Sequence, residues 1–256
     1  MIRYIPADPA GNLTAIVLSP VAAQDRAKIA AEMMARCPEG FEQVGFADET
    51  SLTGDLPTLC MMGGEFCGNA TRAFACYAAK VRWRGETRLA VSVSGAREPV
   101  PVAVDLRQNR AYALMPLPYA LEWISVNKQK IPLVRMEGID HALLLDAAPS
   151  PEAAERVLAA MPKQDARGVL FVQSGKMTPL VEVAATGTHV WESSCGSGTV
   201  ALAWYLAQNL ADGMHAFAFD EPGGRLEARV AMRAGRAAQI EMGGAVKLGE
   251  EAEIEL

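Results

Sequence analysis

Phe66-Cys-Gly-Asn-Ala-Thr-Arg-Ala-Phe-Ala-Cys-Tyr-Ala-Ala79 and Ser194-Cys-Gly-Ser-Gly-Thr-Val-Ala-Leu-Ala-Trp-Tyr-Leu-Ala207 are two versions of one pattern. They are offset by 128 residues, half of the 256-residue chain. Seven positions are identical at that offset: Cys67/Cys195, Gly68/Gly196, Thr71/Thr199, Ala73/Ala201, Ala75/Ala203, Tyr77/Tyr205 and Ala79/Ala207. Alanine-rich sequence yields Ala matches freely, but not Cys-Gly and Tyr at one spacing. A fainter echo lies earlier in each half, where Asn12 precedes the apolar run Ala15–Leu18 and Asp140 precedes Leu143–Leu145. Internal self-similarity at this period reads as two homologous halves. The boundary falls near residues 116–130, where the Pro-rich run Met115–Trp123 and the polar run Asn127–Lys130 separate two compositions. We therefore expect an N-terminal half over 1–118 and a C-terminal half over 119–256, each with one copy of the motif.

Short apolar runs with β-branched residues predict strands at Ala15–Leu18, Ala90–Val93, Val100–Val104, Ala142–Leu145, Val169–Val172, Leu180–Val183, His189–Glu192, Ala216–Phe219 and Arg229–Met232. Gln24–Arg36 and Pro151–Ala160 have helical spacing. Each repeat adds a helix, Gly68–Arg82 and Gly196–Asn209, apolar almost all round and rich in alanine. Such a helix belongs inside a domain. The expected fold class is α+β: two pseudo-symmetric halves, each a curved β-sheet wrapped around a central helix.

Half of the residues are apolar and 21% are charged, which excludes a disordered chain and a disulfide mini-protein. Net charge is −6 with no basic block, so nucleic acid is not an expected partner. Ser193–Ala211 lacks charges, but its glycines, serines, Gln208 and Asn209 read as a buried helix rather than a membrane span. The N-terminus lacks the basic and apolar regions of a signal peptide. Five cysteines, an odd number, fit a reduced cytoplasmic protein better than a disulfide framework. There is no C-x-x-C pair and no H-E-x-x-H, so no metal site is expected.

Each repeat puts Cys-Gly where a strand becomes a helix. A cysteine there sits beside unpaired backbone N–H groups and the positive end of the helix dipole. That environment is expected to lower the thiol pKa, and the same N–H groups suit a carboxylate. Two thiols flanking one carbon atom would permit two-base stereoinversion: one thiolate removes a proton and the opposite thiol returns one. No cofactor is needed. Cys37, Cys60 and Cys76 read as small buried hydrophobes. Arg72 reads as a solvated or ion-paired helix residue. His141 and Glu192 are open between satisfied polar residues and site residues.

These residues resemble the diaminopimelate epimerase superfamily of cofactor-independent amino-acid racemases and epimerases. The family's Cys-Gly-Asn and Cys-Gly-[Ser/Thr]-Gly motifs correspond to Cys67-Gly68-Asn69 and Cys195-Gly196-Ser197-Gly198. Gly11-Asn12 resembles its early Gly-Asn, Gln43 its substrate-side Gln, and Gly138-Ile-Asp-His141 its Gly-Asn-Pro-His. The resemblance implies catalytic Cys67 and Cys195, with Asn12, Gln43, Gly68, Asn69, His141, Gly196 and Ser197 on the substrate. The Glu-Arg-Gly stretch that grips the distal end of diaminopimelate is replaced here by Ala185–Ser194. The forms Gly-Gly-Glu-Phe-Cys-Gly-Asn and Trp-Glu-Ser-Ser-Cys-Gly-Ser-Gly are closer to the histidine racemases that supply D-histidine for opine-type metallophores. That resemblance adds Glu65 and Glu192 to the site. The expected partner is a free amino acid, with a homodimer allowed.

Two other functions compete. One is diaminopimelate epimerisation itself. The other, of a different class, is dinucleotide binding: Gly196-Ser-Gly198-Thr-Val-Ala201 fits G-x-G-x-x-A, with Asp220 and Glu221 near the distance expected for a ribose contact. The second leaves Cys67-Gly68-Asn69 unexplained.

Overall fold

In the computed structural model, residues 1–47, 49–53, 55–82, 88–184 and 187–256 are described. Contacts divide them into a first unit, Met1–Leu114 with Gly243–Leu256, and a second, Met115–Met242. In chain order the elements are β1 (Ile2–Asp8), β2 (Thr14–Val17), α1 (Arg26–Arg36), β3 (Gln43–Phe46), α2 (Glu49–Thr53), β4 (Thr58–Met61), α3 (Gly68–Val81), β5 (Arg88–Val93), β6 (Val100–Asp105) and β7 (Arg110–Met115). They continue with β8 (Ala120–Val126), β9 (Gln129–Arg135), β10 (Ile139–Leu145), α4 (Pro151–Ala160), β11 (Ala166–Gln173), β12 (Lys176–Val183), β13 (Thr188–Trp191), α5 (Gly196–Ala207), β14 (Gly213–Glu221), β15 (Gly224–Arg233), β16 (Arg236–Ala245), β17 (Lys247–Leu248) and β18 (Ala252–Ile254).

The repeat is a repeat of connectivity. In the first unit β1–β2 is antiparallel, β2–β3 parallel across α1, β3–β4 antiparallel, β4–β5 parallel across α3, and β5–β6 antiparallel. In the second, β9–β10 is antiparallel, β10–β11 parallel across α4, β11–β12 antiparallel, β12–β14 parallel across α5, and β14–β15 antiparallel. The orders are the same, with β13 inserted as an extra antiparallel strand on β12. The fold is mixed α+β, as the patterning predicts. The chain's ends meet in the first unit, where β1 pairs with β17 and β18.

The helices α3 and α5 are the centres of their units. Every residue from Gly68 to Ala79 is buried, and α3 packs on β5, β6 and β17. On α5, Gly198–Ala203 and Ala207 are buried, against β10, β14 and β15. The large anchors Phe74 and Leu202 occupy equivalent positions and are both fully buried. Burying each stabilises its unit by roughly 1.5–3 kcal/mol, while the intervening alanines let strands pass close to the helix.

Local chemistry explains where the elements stop. Ser150 accepts the Ala153 N–H at 3.2 Å and Pro151 opens α4, a cap followed by proline at the first helical position. Asn127 and Lys128, with φ of 50° and 66°, form the turn of the β8–β9 hairpin. The polar run Asn127–Lys130 lies at the tip of this hairpin, in the second unit. The helix expected from Gln24 starts at Arg26, after a single 3₁₀ turn over Ala23–Asp25. Among the described residues no helix is long and apolar enough to cross a membrane. Ala185 and Thr186, at the head of the stretch that departs from the epimerase pattern, lie outside the described residues.

Candidate active site

Cys67 and Cys195 cap the two central helices in the same way. Their backbones are extended, with φ −124° and ψ 112° at Cys67 and φ −124° and ψ 106° at Cys195. Each sulfur accepts the N–H three residues on, from Ala70 and Gly198, at 3.4 Å in both cases. Each carbonyl accepts the N–H four residues on, from Thr71 and Thr199, at 2.9 Å in both. A thiol thus takes the place that a serine or aspartate side chain usually fills at a helix start. It lies at the positive end of the helix dipole, beside N–H groups that suit an anion.

In the second unit the groups around Cys195 come from four parts of the chain. Ser197 Oγ lies 3.4 Å from its sulfur, and His141 Nε2 on β10 lies 2.9 Å from Ser197 Oγ. His141 is fully buried, and Nδ1 has no hydrogen-bond partner among the described residues. Burial pulls its pKa down to about 3, so the imidazole is neutral. Its register partner on β11 is Gly168, and a Cβ there would run into the ring. Glu221, at the end of β14, is buried and accepts two hydrogen bonds of 2.7 Å, from the Cys195 N–H and from Thr199 Oγ1.

The expectation of a lowered thiol pKa does not hold at Cys195. Its pKa is raised well above the ordinary value, first by burial, then by the charges of Glu192 and Glu221, against a smaller opposing effect of Ser197. Burial, reinforced by two carboxylates, outweighs one helix dipole, whose influence is confined to about half a charge. That direction favours the thiol form of Cys195. Glu192 is half-buried and its own N–H is anchored on Pro179 O at 3.1 Å.

In the first unit Cys67 is half-buried and Gly68 and Asn69 are buried. Asn69 Oδ1 accepts from Arg72 Nε at 3.2 Å and Nη2 at 3.1 Å. Arg72 also donates to Pro9 O at 2.7 Å, Gly244 O at 3.2 Å and Ala245 O at 2.8 Å. It is fully buried, so the expectation of a solvated residue is corrected, and carbonyls and an amide are among its partners. Asn12 and Gln43 meet, with Gln43 Nε2 donating to Asn12 Oδ1, and Asn12 Nδ2 donates to Glu42 at 2.9 Å. The echo of Asn12 at Asp140 is one of position alone, since the Asp140 carboxylate faces Arg135 Nε at 2.9 Å. Glu65 is exposed.

The structure thus gathers His141, Ser197, Glu192 and Gly196 around Cys195, and separately joins Asn12 to Gln43 and Asn69 to Arg72. Sequence reasoning missed Glu221 as a partner of the cysteine. Its only signal was an acid just before the Pro222-Gly-Gly224 turn. That acid, with Asp220, was also the expected ribose contact of the dinucleotide reading, which the geometry removes. β13, the strand leading into Gly196-x-Gly198, runs antiparallel to β12, whereas β14 runs parallel to β12. A dinucleotide fold needs those two strands parallel to each other. Glu221 is held by its own helix start, and Asp220 faces Arg225 at 3.3 Å.

Comparison with known proteins agrees with this geometry. The family described as the histidine racemase CntK N-terminal domain matches residues 1–254. A histidine racemase of Fusobacterium nucleatum is 32% identical over 221 residues, covering 80% of this chain and 81% of that protein. One from Staphylococcus aureus is 25% identical over 244 residues, covering 88% and 87%. Among solved structures, a phenazine biosynthesis PhzF family protein of Enterococcus faecalis superposes with a TM-score of 0.67. It is 17% identical and covers 100% of this chain and 99% of that one, a likeness of fold.

Proposed function

The chain belongs to the histidine racemase CntK N-terminal domain family, and we propose that it interconverts L- and D-histidine, with Cys67 and Cys195 as the two acid–base groups. The observation that carries this reading is the equivalence of the two cysteines: same helix position, same backbone angles, same sulfur contact. A structural cysteine has no reason to recur at both helix starts when the residues around it have diverged.

The chemistry follows from the residues. One sulfur, as thiolate, takes the α-proton and becomes a thiol. The electron pair left on the α-carbon delocalises into the substrate carboxylate, where helix N–H groups stabilise the growing charge. The other thiol delivers its proton to the opposite face and becomes the thiolate, so the two exchange roles in each turnover. Cys195, whose thiol form is favoured by burial and by the neighbouring carboxylates, is suited to deliver the proton first. Asn12, Gln43, Gly68, Asn69, Gly196 and Ser197 bind the amino-acid head. His141, neutral, fixes the Ser197 hydroxyl. Glu65 and Glu192 attract the substrate ammonium and a cationic or hydrogen-bonding side chain such as imidazole. The scheme calls for no cofactor. The D-histidine formed would supply opine-type metallophore assembly in a reducing cytoplasm, a setting in keeping with an odd number of cysteines.

The test is hydrogen exchange. In D2O the protein should replace the α-hydrogen of L-histidine with deuterium and convert it to the D form. Retention of the α-proton on histidine would refute the reading.

A further inference from the structure

The repeat offers an internal control that isolates one residue. In each unit the turn after the strand following the central helix is tied to the loop in front of the cysteine. In the first unit the tie is neutral. Ser94 Oγ accepts the Met61 N–H at 2.8 Å and donates to Glu65 O at 3.0 Å. Gly95, at φ 75°, lies so close that a Cβ would collide with Phe66 N. In the second unit the corresponding turn reaches the loop through Gly223 N–H to Ser193 O at 2.8 Å, and through Glu221 to the Cys195 N–H and Thr199 Oγ1. The contacts differ. At the repeat offset of 128 the counterpart of Glu221 is the apolar Val93, and Thr71 Oγ1, the counterpart of Thr199 Oγ1, donates to Cys67 O at 2.6 Å.

The first unit has valine where the second has Glu221, so the charge calls for an explanation beyond the shared fold. Burial of an acid is costly unless its oxygens are satisfied, and both oxygens here have a donor at 2.7 Å. The bond to the cysteine's own N–H fixes the charge on the residue that carries the thiol. We propose that Glu221 is a positioning residue that makes the two half-sites unequal: clamped on the Cys195 N–H and on Thr199, it biases Cys195 to hold the proton in the resting enzyme. This rests on the two-thiol reading above.

The other groups facing Cys195 are Glu192 from the preceding loop, Ser197 on the same helix and His141 from β10 through Ser197. Glu192 acts in the same direction as Glu221, Ser197 in the opposite one. His141 is neutral and contributes no charge. Glu192 is half-buried, so a substrate ammonium can offset it, whereas Glu221 stays in place whether or not substrate is bound. Glu221 is thus the constant part of the bias.

The experiment measures the thiol without relying on turnover. The full chain is treated with iodoacetamide across a pH series, and alkylation of the Cys195 peptide is followed by mass spectrometry. A nearby like charge moves an ionisation by about one unit or more, so Glu221→Gln should alkylate Cys195 about ten-fold faster than the wild type at a fixed pH below its midpoint. Glu221→Asp keeps the charge and should stay near the wild-type rate. An unchanged rate in Glu221→Gln overturns the proposal, as does equal acceleration in Glu221→Asp. If Glu221→Gln does not fold, Glu221→Asp carries the test alone, with a wild-type labelling profile as support and a ten-fold faster one as refutation. A merely structural role would lower thermal stability and leave the pH profile of labelling unmoved. Cys195→Ala distinguishes this failure from that of the underlying reading: racemase activity retained in that variant removes the two-thiol mechanism, whatever Glu221 does to the labelling.

Discussion

Replacing His141 by Gln should make the protein less sensitive to acid, by an amount that follows from its burial. The imidazole is fully buried and its pKa falls from the ordinary 6.5 to about 3. Between these values the unfolded chain binds a proton that the folded chain excludes. The contribution of His141 to stability is therefore fully present above pH 6.5, falls as the pH is lowered toward 3, and is lost below it. One pKa unit is worth about 1.4 kcal/mol. At pH 5, about one and a half units below the unfolded value, the wild type has lost about 2 kcal/mol through this residue alone, and by pH 3 about 5 kcal/mol. Glutamine does not titrate, so His141→Gln pays its cost of substitution equally at every pH. The assay is urea unfolding of both proteins at pH 7.5, 6 and 5. Tryptophan fluorescence is a suitable probe, since Trp123, Trp191 and Trp204 lie within the second unit with His141. The stability gap between wild type and variant should narrow by about 2 kcal/mol from pH 7.5 to pH 5. The carboxylates and other histidines are common to both proteins and cancel. A gap that stays constant to within about 0.5 kcal/mol would refute the claim that His141 is held neutral.

Cys67→Ala and Cys195→Ala should each lower racemisation by at least about 10²-fold, the lower end of what one proton-transfer group contributes. Near-wild-type turnover in either would end the two-thiol mechanism, while Cys37→Ala, Cys60→Ala and Cys76→Ala should remain active. Arg72→Met should destabilise the protein by about 3 kcal/mol or more in denaturant unfolding, because the carbonyls of Pro9, Gly244 and Ala245 lose a buried charged donor. Arg72→Lys should not restore it, since an ammonium cannot reproduce the planar fork. For the substrate, kcat/KM for L-histidine should exceed that for LL-diaminopimelate. A value for diaminopimelate ten-fold higher, about 1.4 kcal/mol of preferential transition-state binding, would overturn the substrate assignment.

The sequence revealed the repeat because side-chain identity at a helix start is under chemical constraint. Cys67 and Cys195 stand out through the Cys-Gly pair, and α4 through Ser150-Pro151 and its spacing. What stayed hidden depends on groups far apart in the chain. Arg72 reads as a surface residue because an arginine inside an alanine-rich helix usually projects into water. Three of its acceptors, the carbonyls of Pro9, Gly244 and Ala245, come from distant parts of the chain. Glu221 reads as a ribose-contact acid at the end of a strand, since its partner Cys195 lies 26 residues away. The electrostatics at Cys195 misled for a related reason. Helix position is visible in sequence, but burial and two carboxylates arriving from the preceding loop and a following strand are not. Strands β1 and β3 escaped notice through proline in one and shortness in the other, whereas their registers are fixed by pairing with β2.

Unequal thiols do not make a racemase run preferentially one way. L- and D-histidine have equal free energies, so kcat/KM must be the same in both directions whatever the enzyme does. A bias toward protonated Cys195 changes something else, the share of free enzyme that is ready for each enantiomer. The form with the proton on Cys195 accepts one hand of substrate and releases the enzyme with the proton on Cys67. Before that same hand can react again, the proton must return, through solvent or through reaction of the other hand. If Glu221 sustains the bias, the two individual kcat values differ while their ratios to KM agree, and the enantiomer accepted by the favoured form has the lower KM. Glu221→Gln should bring the two pairs of constants together without altering the equality of the ratios. A wild type whose kcat values already coincide for the two enantiomers would leave the carboxylate with only its mechanical tie to the Cys195 N–H and Thr199.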